Sequence, residues 1–146
     1  MFFFCPKGFA MARRKTYICR MLQSILLVGC GSALGGICRF LSTRCISKFF
    51  PAMGHFPLGT FAVNIGGCLL IGLFYGLSER TLIPNARLFL TVGFCGGLTT
   101  FSTFANENLQ LFRDGNVLMF ALYAAGSVFF GILAVYLGNL AAKLLI

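Results

Sequence analysis

Four long apolar stretches take up most of the sequence and limit what it can fold into. They cover residues 21–41, 59–77, 88–111 and 117–140, and about 20 residues of helix are enough to cross the hydrocarbon core of a bilayer. Backbone polar groups must be hydrogen-bonded within lipid, which favours helices, and the residue alternation of a membrane β-barrel is absent from these stretches. The sequence therefore predicts an all-α membrane protein with four transmembrane helices per chain.

The charged residues are too few for a soluble domain. They make up 10% of the chain, and 58% is hydrophobic, whereas a soluble domain carries about a quarter charged residues. The seven cysteines are scattered without a CxxC pair, and His55 is the only histidine, so neither a zinc site nor a disulfide framework is indicated. We expect a multi-pass protein of the cell inner (plasma) membrane, in contact with the lipid bilayer, with no nucleic acid partner and no enzymatic activity.

Residues 1–20 do not fit the pattern of the rest of the chain. Their basic residues follow the apolar ones, which is the reverse of a secretory signal. We interpret residues 1–20 as an N-terminal extension upstream of a natural start at Met21, and residues 21–146 as the four-helix transmembrane domain. A genuine basic cytoplasmic tail is the alternative.

From Met21 onward, the Lys and Arg residues outside the apolar stretches are divided evenly between the two sides of the membrane. Because the excess of these residues orients a membrane protein, a chain without an excess is expected to insert in both orientations. Small residues four positions apart let helices approach closely, and four helices alone make a thin bundle. We therefore expect two opposed copies to pair as an antiparallel, dual-topology homodimer. The balanced residues are Arg80, Arg87 and Lys143 against Arg44, Lys48 and Arg113, and the small pairs are Gly31/Gly35, Gly72/Gly76, Gly93/Gly97 and Ser127/Gly131.

Few polar residues lie within the apolar stretches, and each is a functional candidate because polar groups are costly in lipid. Asn64 follows Thr60 by one helical turn, and its amide either joins helices or lines a pore. Tyr123 and Ser127 share one face of the fourth predicted helix. Arg39 lies near one end of the first stretch, where it either anchors the chain at the headgroups or attracts anions into a vestibule.

The stretch GGLTTFSTF, residues 96–104, predicts a break near the middle of the third helix. Glycine is conformationally permissive and threonine is β-branched, and irregular backbone at membrane depth persists only where it is buried in protein or lines water. A break on a two-fold axis would direct four carbonyl oxygens from two copies at one small hard cation. Beyond the break, Phe101 and Phe104 share a helical face. They either pack in the core or direct their positive ring edges at a dehydrated anion.

These segments resemble the small fluoride channels of the Fluc, or CrcB-like, family. GFCGGLTTFSTF at residues 93–104 resembles the family signature, and GSALGGICRF and PLGTFAVNIGG at residues 31–40 and 57–67 agree with it. The resemblance extends from residue 21 to the end of the fourth apolar stretch. It implies passive export of fluoride through two pores of an antiparallel, dual-topology homodimer, with a structural sodium ion as its cofactor.

The resemblance also implies roles for particular residues. The sodium ion would be held by the backbone carbonyls of Gly96 and Thr99 in both copies. Gly131 stands where relatives continue a polar track with another hydroxyl. The ion path would include the fluoride-facing Phe101 and Phe104, the pore asparagine Asn64, the polar track of Tyr123 and Ser127, the vestibule arginine Arg39 and, from its place within the second apolar stretch, Thr60.

Two other classes of function remain open on the residues alone. A small four-helix drug/proton exporter also inserts with dual topology, but it requires an acid inside a span. The first stretch has none, and Glu107 is the only acid near the membrane interior. A non-transporting membrane adaptor is the second alternative. A fluoride channel would need no coupled energy source, because the membrane potential expels an anion with about 2.3 kcal/mol per charge per 100 mV.

Overall fold

The computed structural model describes residues 7–50, 56–78 and 83–145, with side chains from residue 17 onward. Four helical spans are present in this part of the chain, and each is long and apolar enough to cross a membrane. The prediction of an all-α membrane protein with four transmembrane helices is therefore confirmed. The spans are a first helix, Lys7–Phe49, a second helix, Leu58–Ser78, a third span, Pro84–Arg113, and a fourth helix, Val117–Leu145.

The first helix passes through Met21 without interruption, because it is helical from Lys7 to Phe49. The boundary expected between residues 20 and 21 therefore does not coincide with the end of a helix. The interpretation of residues 1–20 as an extension stays a prediction, and residues 1–6 lie outside the described part of the chain.

The third span is broken into several pieces, as its glycine- and threonine-rich centre predicts. Its start contains Pro84, whose missing N–H costs no hydrogen bond in the first helical turn. A π-helical segment, which the sequence pattern did not predict, precedes the break. Such wide turns occur often at functional sites. In chain order the pieces are Pro84–Leu88, the π-helical Phe89–Cys95, Gly96–Leu98, the extended residues Thr99 and Thr100, and Phe101–Arg113.

Close helix contacts position the broken span. The first helix packs on the π-helical segment, where a Cβ added to Gly31 would lie 2.7 Å from the carbonyl oxygen of Phe89. The second and fourth helices form the most extensive pair, and Gly72 and Gly138 leave no space for a side chain between them. Small residues thus permit backbone contact between helices, in agreement with their spacing in the sequence.

Much of the apolar surface is left uncovered within the chain. Only 11% of the most apolar 18 residues of the first helix are buried, and 17% of those of the fourth. Leu22, Leu118 and Leu144 are among the large apolar side chains that are more than half exposed. An apolar surface of this extent requires lipid or further protein around it, so the chain is a multi-pass membrane protein.

Candidate functional site

The break in the third span releases backbone groups from the helical pattern. Thr99 (φ −84°, ψ 156°) and Thr100 (φ −148°, ψ 117°) are both extended. The Oγ1 of Thr100 accepts a hydrogen bond from the N–H of Thr103 at 3.4 Å. This is an N-cap, which satisfies one of the free amides at the start of a helix. The helix therefore resumes directly at Phe101.

Asn64, from the second helix, binds both backbone groups of Thr100. Its Oδ1 accepts the Thr100 N–H at 2.8 Å, and its Nδ2 donates to the Thr100 carbonyl at 3.2 Å. The side-chain amide thus pairs with the extended backbone as a neighbouring β-strand would. One N–H of the amide remains for another partner, because each side-chain amide carries two donors. Asn64 joins two helices and also lines a cavity, so the two sequence-based alternatives for it are compatible.

Arg39 reaches the same break from the first helix. Its half-buried guanidinium donates to the carbonyl oxygen of Thr99 at 3.3 Å. The Thr100 N–H is directed to Asn64, so it does not supply the bond that the carbonyl of Gly96 would accept in a continuous helix. The Gly96 carbonyl is therefore available to a cation, and the Thr99 carbonyl retains one lone pair. The sodium site that the resemblance implies would use these two oxygens.

A hydrogen-bonded carboxylate joins the second, third and fourth spans beyond the break. The Thr60 hydroxyl donates to Oε1 of Glu107 and the Tyr123 hydroxyl donates to Oε2, each at 2.7 Å. Thr60 is 4% exposed and Tyr123 is fully buried. The sequence pattern alone assigns no role to Glu107. The signal that identifies it is its position three residues after Phe104, which places both on one face of the helix.

Phe101 and Phe104 lie side by side after the break. Their ring centroids are 5.7 Å apart, and the Phe104 ring is also 5.0 Å from that of Tyr123. Phe101 is 79% exposed. Core packing within one chain therefore does not account for Phe101, although the ring pair itself is formed as its spacing predicts.

An open groove of about 530 Å³ lies between the second helix, the third span and the fourth helix. None of the described residues that line it is charged. The Oγ of Ser127, which lines the groove, is buried without a hydrogen-bond partner in the described part of the chain. Three predicted path residues, Arg39, Thr60 and Tyr123, lie outside the lining. The predicted residues that line the groove are Asn64, Gly96, Thr99, Phe101, Phe104 and Ser127.

The chain that contains the break and the groove is similar in sequence to other proteins. Residues 26–139 match the family model described as CrcB-like protein, Camphor Resistance (CrcB). The chain belongs to the CrcB-like family. This family membership confirms the resemblance seen in the sequence around the break.

Three relatives of this CrcB-like chain carry the name fluoride-specific ion channel FluC. The protein of Phocaeicola vulgatus is 52% identical over 118 residues, which cover 80% of this chain and 96% of the relative. That of Chlorobium luteolum is 49% identical over 122 residues, covering 82% and 92%. That of Flavobacterium psychrophilum is 43% identical over 124 residues, covering 84% and 98%.

Proposed function

We propose that this chain is a fluoride-selective channel that lowers the cytoplasmic fluoride concentration by passive export. The relatives named as fluoride-specific ion channels match it over more than nine-tenths of their own length. The observation that carries the proposal is the groove, whose described lining offers an amide, hydroxyls and phenyl rings without a charged side chain. Neutral groups of this kind bind an anion weakly enough for it to leave, as conduction requires.

Several side chains around the groove together replace the water molecules that hydrate fluoride. Asn64 has an amide N–H that the break does not use, and Ser127 has a hydroxyl without a partner among the described residues. The rings of Phe101 and Phe104 add positive edges. Arg39 is a fixed positive charge beside the break, and it raises the local concentration of anions.

Thr60 and Tyr123 act on this path through Glu107. Each donates one hydrogen bond to the carboxylate, and charge-assisted hydrogen bonds of this type are about twice as strong as neutral ones. The two hydroxyls therefore hold the only acid of the described spans in place, at a position outside the groove lining. The Tyr123 ring also packs against the Phe104 ring.

The active form in this proposal is an antiparallel, dual-topology homodimer in the inner (plasma) membrane. Three observations support it: the groove is open, Phe101 is 79% exposed, and the loop charges from Met21 onward give no preferred orientation. A second copy would cover both the groove and the ring. Two grooves would then form two pores, each closed off from lipid.

A structural sodium ion at the break is part of the same proposal. The carbonyl oxygens of Gly96 and Thr99 would hold it, since oxygen ligands suit hard cations. When bound, the ion would supply a positive charge to which carbonyl oxygens of both copies could bind. Arg39 occupies one side of the Thr99 oxygen, so this ligand is the more constrained of the two.

Fluoride efflux from liposomes tests the function directly. Liposomes containing the purified protein and loaded with potassium fluoride are expected to release fluoride, measured with a fluoride electrode, once valinomycin allows potassium to follow. Liposomes that hold the gradient as tightly as empty ones would refute the channel. Proton-driven uptake of a cationic dye in the same vesicles would instead indicate the drug exporter, and neither activity would indicate the adaptor.

A further inference from the structure

Two thiols, one on each wall of the groove, are not used by the proposed path. Cys68 belongs to the second helix and Cys95 to the π-helical segment of the third span, and both line the groove. Cys95 is 1% exposed and Cys68 is half-buried, whereas Cys19, Cys30, Cys38 and Cys45 are exposed on the first helix. Access to the buried thiol therefore leads through the groove.

Contacts between the two spans lie close to both thiols along the chain. The contacts indicate that the second helix and the third span run in opposite directions. Asn64 bonds to Thr100, and a Cβ added to Gly67, later in the second helix, would meet the side chain of Thr99, earlier in the third span. Cys68 directly follows Gly67. Cys95 lies one turn before Thr99, whose N–H and hydroxyl both donate to the Cys95 carbonyl at 3.0 Å.

The fourth helix leaves room beside this pair. A Cβ added to Gly131 would lie 3.6 Å from the Sγ of Cys68, so the thiol occupies the position that a larger residue on the fourth helix would take. Ser127, one turn earlier, also lines the groove, and its buried hydroxyl has no hydrogen-bond partner in the described part of the chain. The thiol of Cys68 is therefore the next polar group along the groove after Ser127.

We propose that Cys68 and Cys95 form a binding site for a soft monovalent metal cation inside the ion path. Thiolate ligands select soft metals, and Ag⁺ binds two of them in a linear arrangement. Two S–Ag bonds form, the two S–H bonds break, both protons pass to water, and no electron is transferred. The product carries a net negative charge in a groove with no other charged lining among its described residues, so it repels fluoride and blocks flux.

Silver inhibition of fluoride efflux tests the site. The chain used retains only Cys68 and Cys95, with every other cysteine replaced by alanine, and the buffer contains nitrate instead of chloride so that Ag⁺ stays dissolved. We expect Ag⁺ to stop efflux and excess dithiothreitol to restore it. Cys68→Ser, Cys68→Ala or Cys95→Ser should each raise the inhibitory concentration about a hundredfold, because two-point binding becomes one-point binding. A matched chain that retains only Cys30 and Cys38 should remain open.

The block of flux rests on the proposed function, but silver binding does not. Native mass spectrometry of the solubilised protein therefore serves as the second measurement, with one Ag⁺ per chain in place of two protons as the expected adduct. A chain that shows this adduct but conducts no fluoride before silver is added contradicts the proposed function alone. Unchanged inhibition of both Cys68 variants, or an adduct that survives their substitution, would overturn the site.

Discussion

The substitution Asn64→Asp distinguishes a role of Asn64 in the anion path from a purely structural role between the helices. The new carboxylate would still accept the Thr100 N–H, now 2.8 Å from Oδ1, but it would lose the donor that lies 3.2 Å from the Thr100 carbonyl. The lost bond costs about 1–3 kcal/mol of stability. A fluoride ion passing about 4 Å from the carboxylate is repelled by about 4 kcal/mol at an effective dielectric constant of about 20.

The repulsion between the carboxylate and fluoride is larger than the cost of the lost hydrogen bond. This repulsion therefore determines how far fluoride flux falls. Because about 1.4 kcal/mol corresponds to a factor of ten, fluoride occupancy beside residue 64 should fall about a thousandfold, and efflux should drop below detection in the electrode assay. The folded protein should persist, with a modestly lower thermal midpoint.

Asn108→Asp is the matched control for this substitution. Asn108 is 7% exposed, and its Nδ2 donates to the Phe104 carbonyl at 2.8 Å, so the same donor is lost at a position that does not line the groove. The Oδ1 of Asn108 is buried without a donor in the described part of the chain, so Asn108→Asp should lower stability at least as much as Asn64→Asp and yet preserve efflux. Normal efflux in Asn64→Asp, or equal loss of efflux in both variants, would refute the reasoning.

Three further predictions concern the rings, the carboxylate and the sodium ion. Phe101→Ile and Phe104→Ile should each abolish efflux while the assembly observed by size exclusion stays intact; full flux in either variant would remove that ring from the mechanism. Glu107→Gln replaces one acceptor of two hydroxyl donors by an NH₂ group and should destabilise the protein by about 1–3 kcal/mol in thermal unfolding, whereas the exposed Asp114→Asn should not. Replacing sodium by N-methylglucamine should dissociate the solubilised dimer, and dimers that persist would argue against a structural ion.

The four spans and the break were predictable because their signals are local. Apolar stretches of about 20 residues identify membrane helices by length alone. Two glycines followed by Leu98, Thr99 and Thr100 disfavour a regular helix at one place, and the structure is extended at the last two of these residues. The contact between Phe101 and Phe104 also follows from spacing along one helix.

The partners of the break were not predictable from local pattern. Arg39 and Thr99 are 60 residues apart in the chain, and Thr60 and Glu107 are 47 apart, so these bonds depend on how whole helices pack. The π-helical segment is as apolar as an α-helix of that length would be. Its sequence therefore does not indicate the wider turns. For the same reason, a lone acid within the third apolar stretch did not reveal that two hydroxyls from other spans would hold it.

The pairing of Asn64 with Thr100 has a consequence for how the protein is made. Unbonded amides and carbonyls are too costly in the hydrocarbon region, so the extended residues cannot exist there before the second helix lies alongside. We therefore expect the bend of the third span to form only together with its contact to the second helix. The bend is thus a product of assembly, because it depends on Asn64, a side chain of the preceding span.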